Sequence, residues 1–220
     1  MEEMAREECC RSVCPLANCQ VRLDHSQLLV HLISEHLVET PGVSFGLRMR
    51  QVESGERTLL PLAPQQLIVG QDHCLCLLNW AGNGSRNLAM PQCRLPLSYR
   101  SLTGHLPVLV MVRRIPWPAL PSSSTLHEDN KMRYLYVLWL AAPATRRPVT
   151  ARLGFLNREL HCSLRVRRQL RNFDSPMEFN KYLLGADRNY LTLSERQLQQ
   201  MCCQNDSGCF LEVVILGVPN

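Results

Sequence analysis

The sequence predicts a mainly β protein that opens with a small segment of a different kind. Short runs rich in Val, Leu and aromatic residues, bounded by Pro, Gly, Asn or Ser, recur through most of the 220 residues. Fourteen prolines against eleven glycines disfavour a long helical bundle. Because 45% of the residues are hydrophobic and 20% are charged, we expect an ordinary folded core and no extended disorder.

The first forty residues differ from the rest of the chain. They hold four cysteines and three histidines, and they close on the turn signal E-T-P-G, which ends at position 42. Between positions 28 and 37 the apolar residues recur at helical spacing, with Ser26 available as an N-cap. We therefore predict two units: a small N-terminal unit with a short tail at residues 1–41, and a larger β unit at residues 42–220.

Four residues of the N-terminal unit form a metal-ligand pattern, C-x4-C-x11-H-x4-H. They are Cys14, Cys19, His31 and His36. The cysteines flank a tight turn, and a helix that frays or tightens at its end would let both histidines reach one tetrahedral ion. Two thiolates and two imidazoles suit Zn²⁺ and leave no open position, so the sequence predicts one structural zinc. His25 is an alternative ligand, and Cys9 and Cys10 are alternatives on the thiol side.

Eight runs beyond the N-terminal unit have the length and composition of strands, which is the pattern of a β-sandwich. They lie at residues 43–50, 66–69, 73–80, 106–113, 133–142, 149–156, 159–166 and 210–217. The runs at 133–142 and 210–217 are apolar at nearly every position, as expected of strands covered on both faces. The runs at 149–156 and 159–166 alternate more and flank an Asn-Arg turn, so they predict a hairpin.

The chain has eleven cysteines. Its acidic N-terminus has no apolar stretch that would make a secretory signal, so these cysteines are not expected to form disulfides. No later stretch reaches about 18 apolar residues, so we predict no membrane span and an intracellular protein, cytoplasmic or nuclear. In a reducing compartment thiols are buried or bind metal and are rarely paired. Cys74 and Cys76 alternate along one run and would share a face. They are interpreted as core thiols, with a second metal site as the alternative.

Catalytic motifs are missing from the sequence. It contains no G-x-x-x-x-G-K-[ST] and no G-x-S-x-G, and its single G-N-G lacks the third glycine of a dinucleotide-binding loop. No Cys and His pair is selected by its spacing as a nucleophile and base. We therefore predict that the chain is not an enzyme.

The densest positive charge is the run R-V-R-R-Q-L-R at residues 165–171. It predicts either a solvated strand edge, which resists aggregation, or a docking strip for an acidic partner. The candidate partner-binding residues in it are Arg165, Arg167, Arg168 and Arg171. The net charge of +5 is spread through the chain, so it permits an acidic partner without demanding one.

A finger followed by a β-sandwich resembles the second zinc finger and the TRAF-like substrate-binding domain of the seven-in-absentia family. The resemblance is clearest at residues 149–176, where a strand, an Asn turn, an Arg-rich strand and a Pro-closed loop succeed one another. It continues at residues 190–217, with a short strand, a small helix that Ser194 would cap, and an apolar last strand. The predicted fold class is therefore mainly β: a small CCHH zinc finger followed by a TRAF-like antiparallel β-sandwich.

The resemblance implies the recognition half of a ubiquitin ligase. The family's ligases carry a RING upstream, and only thirteen residues precede Cys14 here, so an adaptor, a competitor or a scaffold without transfer activity is implied. It also implies a protein or peptide ligand added along a strand edge, and a homodimer formed through the sandwich. The alternative function is a nucleic-acid-associated regulator that uses the finger and the basic run at 165–171. We do not expect the finger alone to read bases, because the polar positions of its helix hold no Arg or Lys.

Overall fold

The fold is described from a computed structural model of the chain. The structure describes residues 12–16, 19–37, 47–82, 95–116, 134–157, 159–175, 189–201 and 209–218. Within these ranges the chain is mainly β, with short helical segments, and none of the helices is long and apolar enough to cross a membrane. The boundary near Pro41 and the alternative ligands Cys9 and Cys10 lie outside the described residues. The division into residues 1–41 and 42–220 therefore stays a prediction.

The N-terminal unit is a two-stranded hairpin followed by a helical segment. Strands β1 (Ser12–Val13) and β2 (Arg22–Leu23) pair antiparallel. The helical segment starts as a 3-10 turn at His25–Gln27, continues as helix α1 (Leu28–His31) and ends as a π-helix at Leu32–His36. A strand pair is thus followed by a helical segment, the order found in zinc fingers. The hairpin and this helical segment, ending at His36, are called the finger below.

The start of this helical segment differs from the sequence prediction. The sequence predicts Ser26 as the N-cap. In the structure the N-cap is Asp24, whose backbone is extended. The Asp24 N–H donates to Oε1 of Gln27 at 3.2 Å. Asp24 and Gln27 have the spacing of a capping box, which starts the helical segment before Ser26.

The first sheet holds six strands. They are β3 (Met49–Val52), β5 (Asp72–Trp80), β6 (Leu106–Pro116), β7 (Tyr134–Ala142), β10 (Arg171–Asn172) and β11 (Tyr190–Ser194). Their order is β10-β7-β6-β5-β3, and β11 also pairs with β7. The long strands β5, β6 and β7 are antiparallel neighbours, whereas β3 runs parallel to β5 and β10 runs parallel to β7.

The second sheet holds four strands. They are β4 (Thr58–Leu62), β8 (Thr150–Leu156), β9 (Cys162–Gln169) and β12 (Cys209–Gly217). All neighbours are antiparallel in the order β4-β12-β8-β9, so β4 and β9 are its edges. Strands β8 and β9 form the predicted hairpin. Helix α2 (Glu195–Met201) follows β11 and is capped as predicted, because the Gln197 N–H donates to Oγ of Ser194 at 3.2 Å.

Two of the predicted strand assignments differ from the structure. Residues 66–69 are not a strand: a 3-10 turn occupies Pro64–Gln66, where proline favours the first position, and Val69 makes an isolated bridge to Arg114. Conversely, β4 was missed among the predicted runs, and it contains Pro61, a residue that is unfavourable inside a sheet. Its edge position tolerates that proline. The run at 43–50 ends in β3, and the other six runs correspond to β5 to β9 and β12.

Two hydrophobic clusters hold these parts together. The larger lies between the two sheets and contains the fully buried Trp80 and Phe155. The smaller lies on the other face of the first sheet, where Leu28, Leu29 and Leu32 of the N-terminal unit are fully buried. The N-terminal unit therefore packs directly on the first sheet and does not fold around a core of its own.

Strand β7 is covered on both faces, as its apolar sequence predicts. Side chains including Leu138 and Leu140 belong to the cluster between the sheets. The alternating side chains, including Val137 and Trp139, belong to the cluster under the N-terminal unit. The burial of this second face stabilises the sheet and the finger together.

Replacing Leu29 with Ala should destabilise the whole chain. Leu29 is 0% exposed, and truncation of a buried leucine costs about 2–5 kcal/mol. Urea unfolding followed by tryptophan fluorescence should shift to lower urea in a single transition. Val21→Ala, at a position 49% exposed, is the control and should change the free energy of unfolding by less than about 0.5 kcal/mol. A separate early transition that leaves the sheets unchanged would show that the finger folds independently.

Candidate metal centre

The hairpin of the N-terminal unit positions two thiols. The Cys14 N–H donates to the Val21 carbonyl at 2.9 Å across the hairpin. The Cys19 N–H donates to the Leu16 carbonyl at 3.2 Å and closes the tight turn. Both cysteines are free thiols, and their sulfur atoms lie within 4.8 Å of each other.

The π-helix brings the two histidines together. In an α-helix of about 3.6 residues per turn, side chains five residues apart point roughly 140° away from each other. Here the Leu37 N–H donates to the Leu32 carbonyl at 2.9 Å, which is an i→i+5 bond. The wider turn returns His36 to a position beside His31. The helix end is therefore wider than the frayed or tightened end expected from the sequence.

The four ligand atoms form a compact group. Sγ of Cys14 lies 3.6 Å from Nε2 of His36, and Sγ of Cys19 lies 3.3 Å from Nε2 of His31. The two Nε2 atoms are 3.1 Å apart. Zn–N and Zn–S bonds of about 2.0 and 2.3 Å would separate tetrahedral neighbours by roughly 3.3–3.8 Å, close to these distances. The four residues lie close enough to hold a metal ion, and the described residues contain no other such group.

Burial affects the protonation of Cys14, His31 and His36. It raises the pKa of the Cys14 thiol to about 12 and lowers the pKa of both His31 and His36. Repulsion from His31 lowers the pKa of His36 further. At pH 7 both imidazoles are therefore neutral and present lone pairs, while the Cys14 thiol keeps its proton. A bound cation would displace that proton, because a coordinating thiol is deprotonated.

His25, the alternative ligand, connects the finger to the β unit. Its Nδ1 accepts the Ala144 N–H at 3.2 Å, and its Nε2 lies 3.0 Å from Oδ2 of Asp174. Its ring centroid is 4.8 Å from that of Phe173. Since Nδ1 accepts, we assign the proton to Nε2, which donates to Asp174. Both nitrogens are thus engaged away from the metal group.

The second cysteine pair does not share a face. The sequence predicts Cys74 and Cys76 on one side of a strand, but a β-bulge lies between them in β5. Cys74 packs against the cluster under the finger, and Cys76 lies in the core between the sheets. Burial raises the pKa of both thiols, that of Cys76 to about 11. They are core thiols, and among the described residues the alternative second metal site has no group of ligands.

The four candidate partner-binding arginines do not share one surface. On the edge strand β9, Arg165 and Arg167 are exposed and point away from the core. Arg168 points the other way, and its Nε donates to the Tyr190 carbonyl at 2.6 Å. Burial lowers the pKa of the Arg168 guanidinium. Arg171 lies in β10 of the other sheet.

The ion-pair group around Glu212, to which Arg165 belongs, was not identified from the sequence. Glu212 of β12 is fully buried and forms ion pairs with Arg57, Arg152 and Arg165. The signal for it was present in the sequence, because a carboxylate inside an otherwise apolar strand must find positive partners.

The fold and the ligand group define a class: a mainly β protein with a Cys and His metal-ligand group near its N-terminus. The family model described as Domain of unknown function (DUF4729) matches residues 13–205. Because this range is most of the 220 residues, the chain belongs to that family. The range contains all four ligand residues and strand β9. Neither a curated protein nor a solved structure matches the chain.

Metal binding should require the four ligand residues and not their neighbours. We expect the metal-free chain to bind one Co²⁺ and to show the visible absorption of a tetrahedral ion with thiolate ligands. Cys19→Ser and His36→Ala should each weaken Co²⁺ binding by more than about tenfold. His25→Ala and Cys162→Ser, a change at an exposed thiol, are the matched controls and should keep the spectrum. Unchanged spectra in both ligand variants would exclude this set of ligands.

Proposed function

We propose that this protein is a non-enzymatic protein-interaction module in which a finger holding one structural zinc covers a TRAF-like antiparallel β-sandwich. Its resemblance to the recognition half of a seven-in-absentia ubiquitin ligase supports the role of an intracellular adaptor in the ubiquitin pathway. The observation that carries the proposal is the edge strand β9, which pairs on one side only among the described strands. Such an edge can accept an extended peptide as an added strand.

The main-chain groups of β9 point outward at alternate residues. The Leu170 N–H donates to the Val149 carbonyl at 2.9 Å, which marks a hydrogen-bonded pair at the end of the hairpin. Bonded and non-bonded pairs alternate along an antiparallel ladder, so Arg168 is bonded to β8, whereas Arg165 and Arg167 face the edge. The Arg167 carbonyl already accepts the Arg168 guanidinium at 2.8 Å. Arg165 therefore offers the clearest main-chain donor and acceptor for an added strand.

The metal in this proposal is structural. Four protein ligands complete a tetrahedral shell and leave no position for water or substrate. Thiolate and imidazole ligands suit Zn²⁺, whereas Mg²⁺ and Ca²⁺ prefer oxygen. The buried leucines of the finger helix lie on the first sheet, so the metal would fix the helix in the position that this packing needs.

Catalysis is not part of the proposal. The burial that raises the pKa of Cys74 and Cys76 disfavours a nucleophilic thiolate at either position.

Base reading by the finger is not proposed either. Its helical segment exposes Gln27, Ser34 and Glu35, none of which is the Arg or Lys that reads guanine. We also propose a second copy of the chain as a partner, because members of the family it resembles dimerise through their sandwich domains.

The purified chain should contain one zinc per molecule, and removal of the zinc should uncover the first sheet. Small metal-stabilised segments unfold without their metal, so Trp139, which is 5% exposed, would lose its cover. We expect a chelator to shift tryptophan fluorescence to longer wavelength and to increase binding of an apolar dye. Zn²⁺ should reverse both changes, and Mg²⁺ at the same concentration should not. A zinc-free chain, or a chelator without effect, would contradict a structural zinc.

Peptide binding should depend on the outward N–H of Arg165. Extended peptides would be selected from a random library with the zinc-loaded chain, and their affinities measured for Arg165→Pro and Arg165→Ala. Both variants lose the guanidinium, but only the proline removes the N–H, and proline is tolerated where an edge strand faces solvent. We expect Arg165→Pro to bind about tenfold more weakly than Arg165→Ala.

Thermal unfolding of both variants controls for their stability. Equal affinities in two equally stable variants would place the peptide away from β9. Strand addition should also depend only weakly on salt, whereas phosphate binding falls steeply with salt concentration. A steep salt dependence would favour the nucleic-acid alternative.

A further inference from the structure

The outer face of the second sheet holds a buried carboxylate. Glu212 lies between Leu211 and Val213, which both face the core between the sheets, so its side chain points to the opposite face. That side chain is 0% exposed. It lies close against the sheet because its cross-strand neighbour is Gly154, where a Cβ would come within 3.0 Å of Oε2. A buried carboxylate is costly unless positive groups surround it.

Arginines from separate parts of the chain surround this carboxylate. Nε of Arg57 contacts its Oε1. Nη2 of Arg165 and Nε of Arg152 lie 3.7 Å and 4.0 Å from Oε2. Arg167 lies directly across the strand pair from Arg152, on the same face. Three guanidinium groups thus share one carboxylate and a fourth, that of Arg167, lies on the same face. Strands β4, β8, β9 and β12 contain no other acidic residue.

These arginines are only partly engaged by the protein itself. The side chains of Arg57 and Arg165 are 56% and 50% exposed, so about half of each faces solvent. In the described structure Oε2 of Glu212 and Nε of Arg152 have no hydrogen-bond partner, since their separation exceeds hydrogen-bond length. The face therefore carries excess positive charge, and the exposed parts of Arg57 and Arg165 are accessible to a ligand.

We propose that this arginine face, made of Arg57, Arg152, Arg165 and Arg167 around Glu212, binds an acidic segment of a partner protein. The inference rests on the proposed function, because Arg165 and Arg167 also line the edge of β9. Alternate side chains of a strand added there would project on the same side as these two arginines. Carboxylates at those positions would accept charge-assisted hydrogen bonds from the guanidinium groups, in some cases two from one fork.

An acidic protein segment fits this face better than a nucleic acid does. Nucleic-acid binding relies on a longer track of basic residues along a phosphate backbone, whereas the charge here is confined to one patch around a carboxylate. The buried Glu212 also repels a phosphate placed at its centre and leaves the donors at the rim for separate carboxylates. The neighbouring strand edge adds main-chain pairing, which a peptide can use and a nucleic acid cannot.

The test uses the zinc-loaded full chain and two labelled peptides of about ten residues, in which Val alternates with Glu or with Gln. At low salt the Glu peptide should bind roughly tenfold more tightly than the Gln peptide, because each exposed ion pair contributes about 0–1 kcal/mol. Arg152→Gln combined with Arg167→Gln should remove most of this preference. Arg167→Gln alone, which leaves the ion pairs of Glu212 intact, should reduce it without affecting folding.

The matched control is Arg100→Gln combined with Arg196→Gln, which removes the same charge from exposed positions outside the arginine face. It should change the preference for the Glu peptide by less than about twofold. Losses of equal size in the control and in the face variant would attribute binding to net charge and overturn the proposal.

Three further outcomes would also overturn it. Equal binding of the two peptides would remove the acidic preference, and strand addition would still stand if Arg165→Pro weakened both. If neither peptide bound, the arginine face would fail, while the library-selected peptides would decide strand addition separately. A single-stranded oligonucleotide of matched charge is the third probe. Tighter binding of that probe, lost in the same variants, would make this a nucleic-acid surface.

Discussion

The packing of the finger helix on the first sheet is the interaction on which the other parts of the structure depend. Strand β7 is apolar on both faces, so neither face is stable in water. The second sheet covers one face and the finger helix covers the other. Burial of a large apolar side chain such as Leu29 or Trp139 contributes about 1.5–3 kcal/mol, more than an exposed ion pair of the finger could supply. The metal-ligand group lies beside this contact, with His31 and His36 at the end of the same helical segment.

Most strand positions, and the grouping of the four candidate ligand residues, could be predicted because their signals are local. Apolar runs between turn residues mark strands, and four ligand residues within a short segment must lie near one another whatever the rest of the fold does. The details of side-chain direction could not be predicted in the same way. One extra residue in the bulge of β5 moves Cys74 to the opposite face from Cys76, and the π-turn before Leu37 changes the direction of His36. Both irregularities are departures from the regular period of a strand or a helix, and the sequence pattern assumes that period.

The arginine run shows how a strand redistributes charge that is continuous in the sequence. Successive side chains alternate between faces, so Arg167 points outward while Arg168 points inward to the Tyr190 carbonyl. The outward arginines then join Arg57 and Arg152, which are distant in sequence and carry no pattern of their own. What assembles the group is Glu212, one polar residue whose burial requires positive neighbours from wherever the fold places them.

The two sheets have different outer faces. The outer face of the first sheet is closed by the finger, whereas that of the second carries arginines and borders the edge strand β9. One hydrogen bond joins the edge strand β9 of the second sheet to strand β11 of the first. Tyr190 is buried in the cluster under the finger, and its carbonyl accepts the Arg168 guanidinium of β9. This hydrogen bond connects the cluster under the finger to the edge strand β9, one residue away from Arg167.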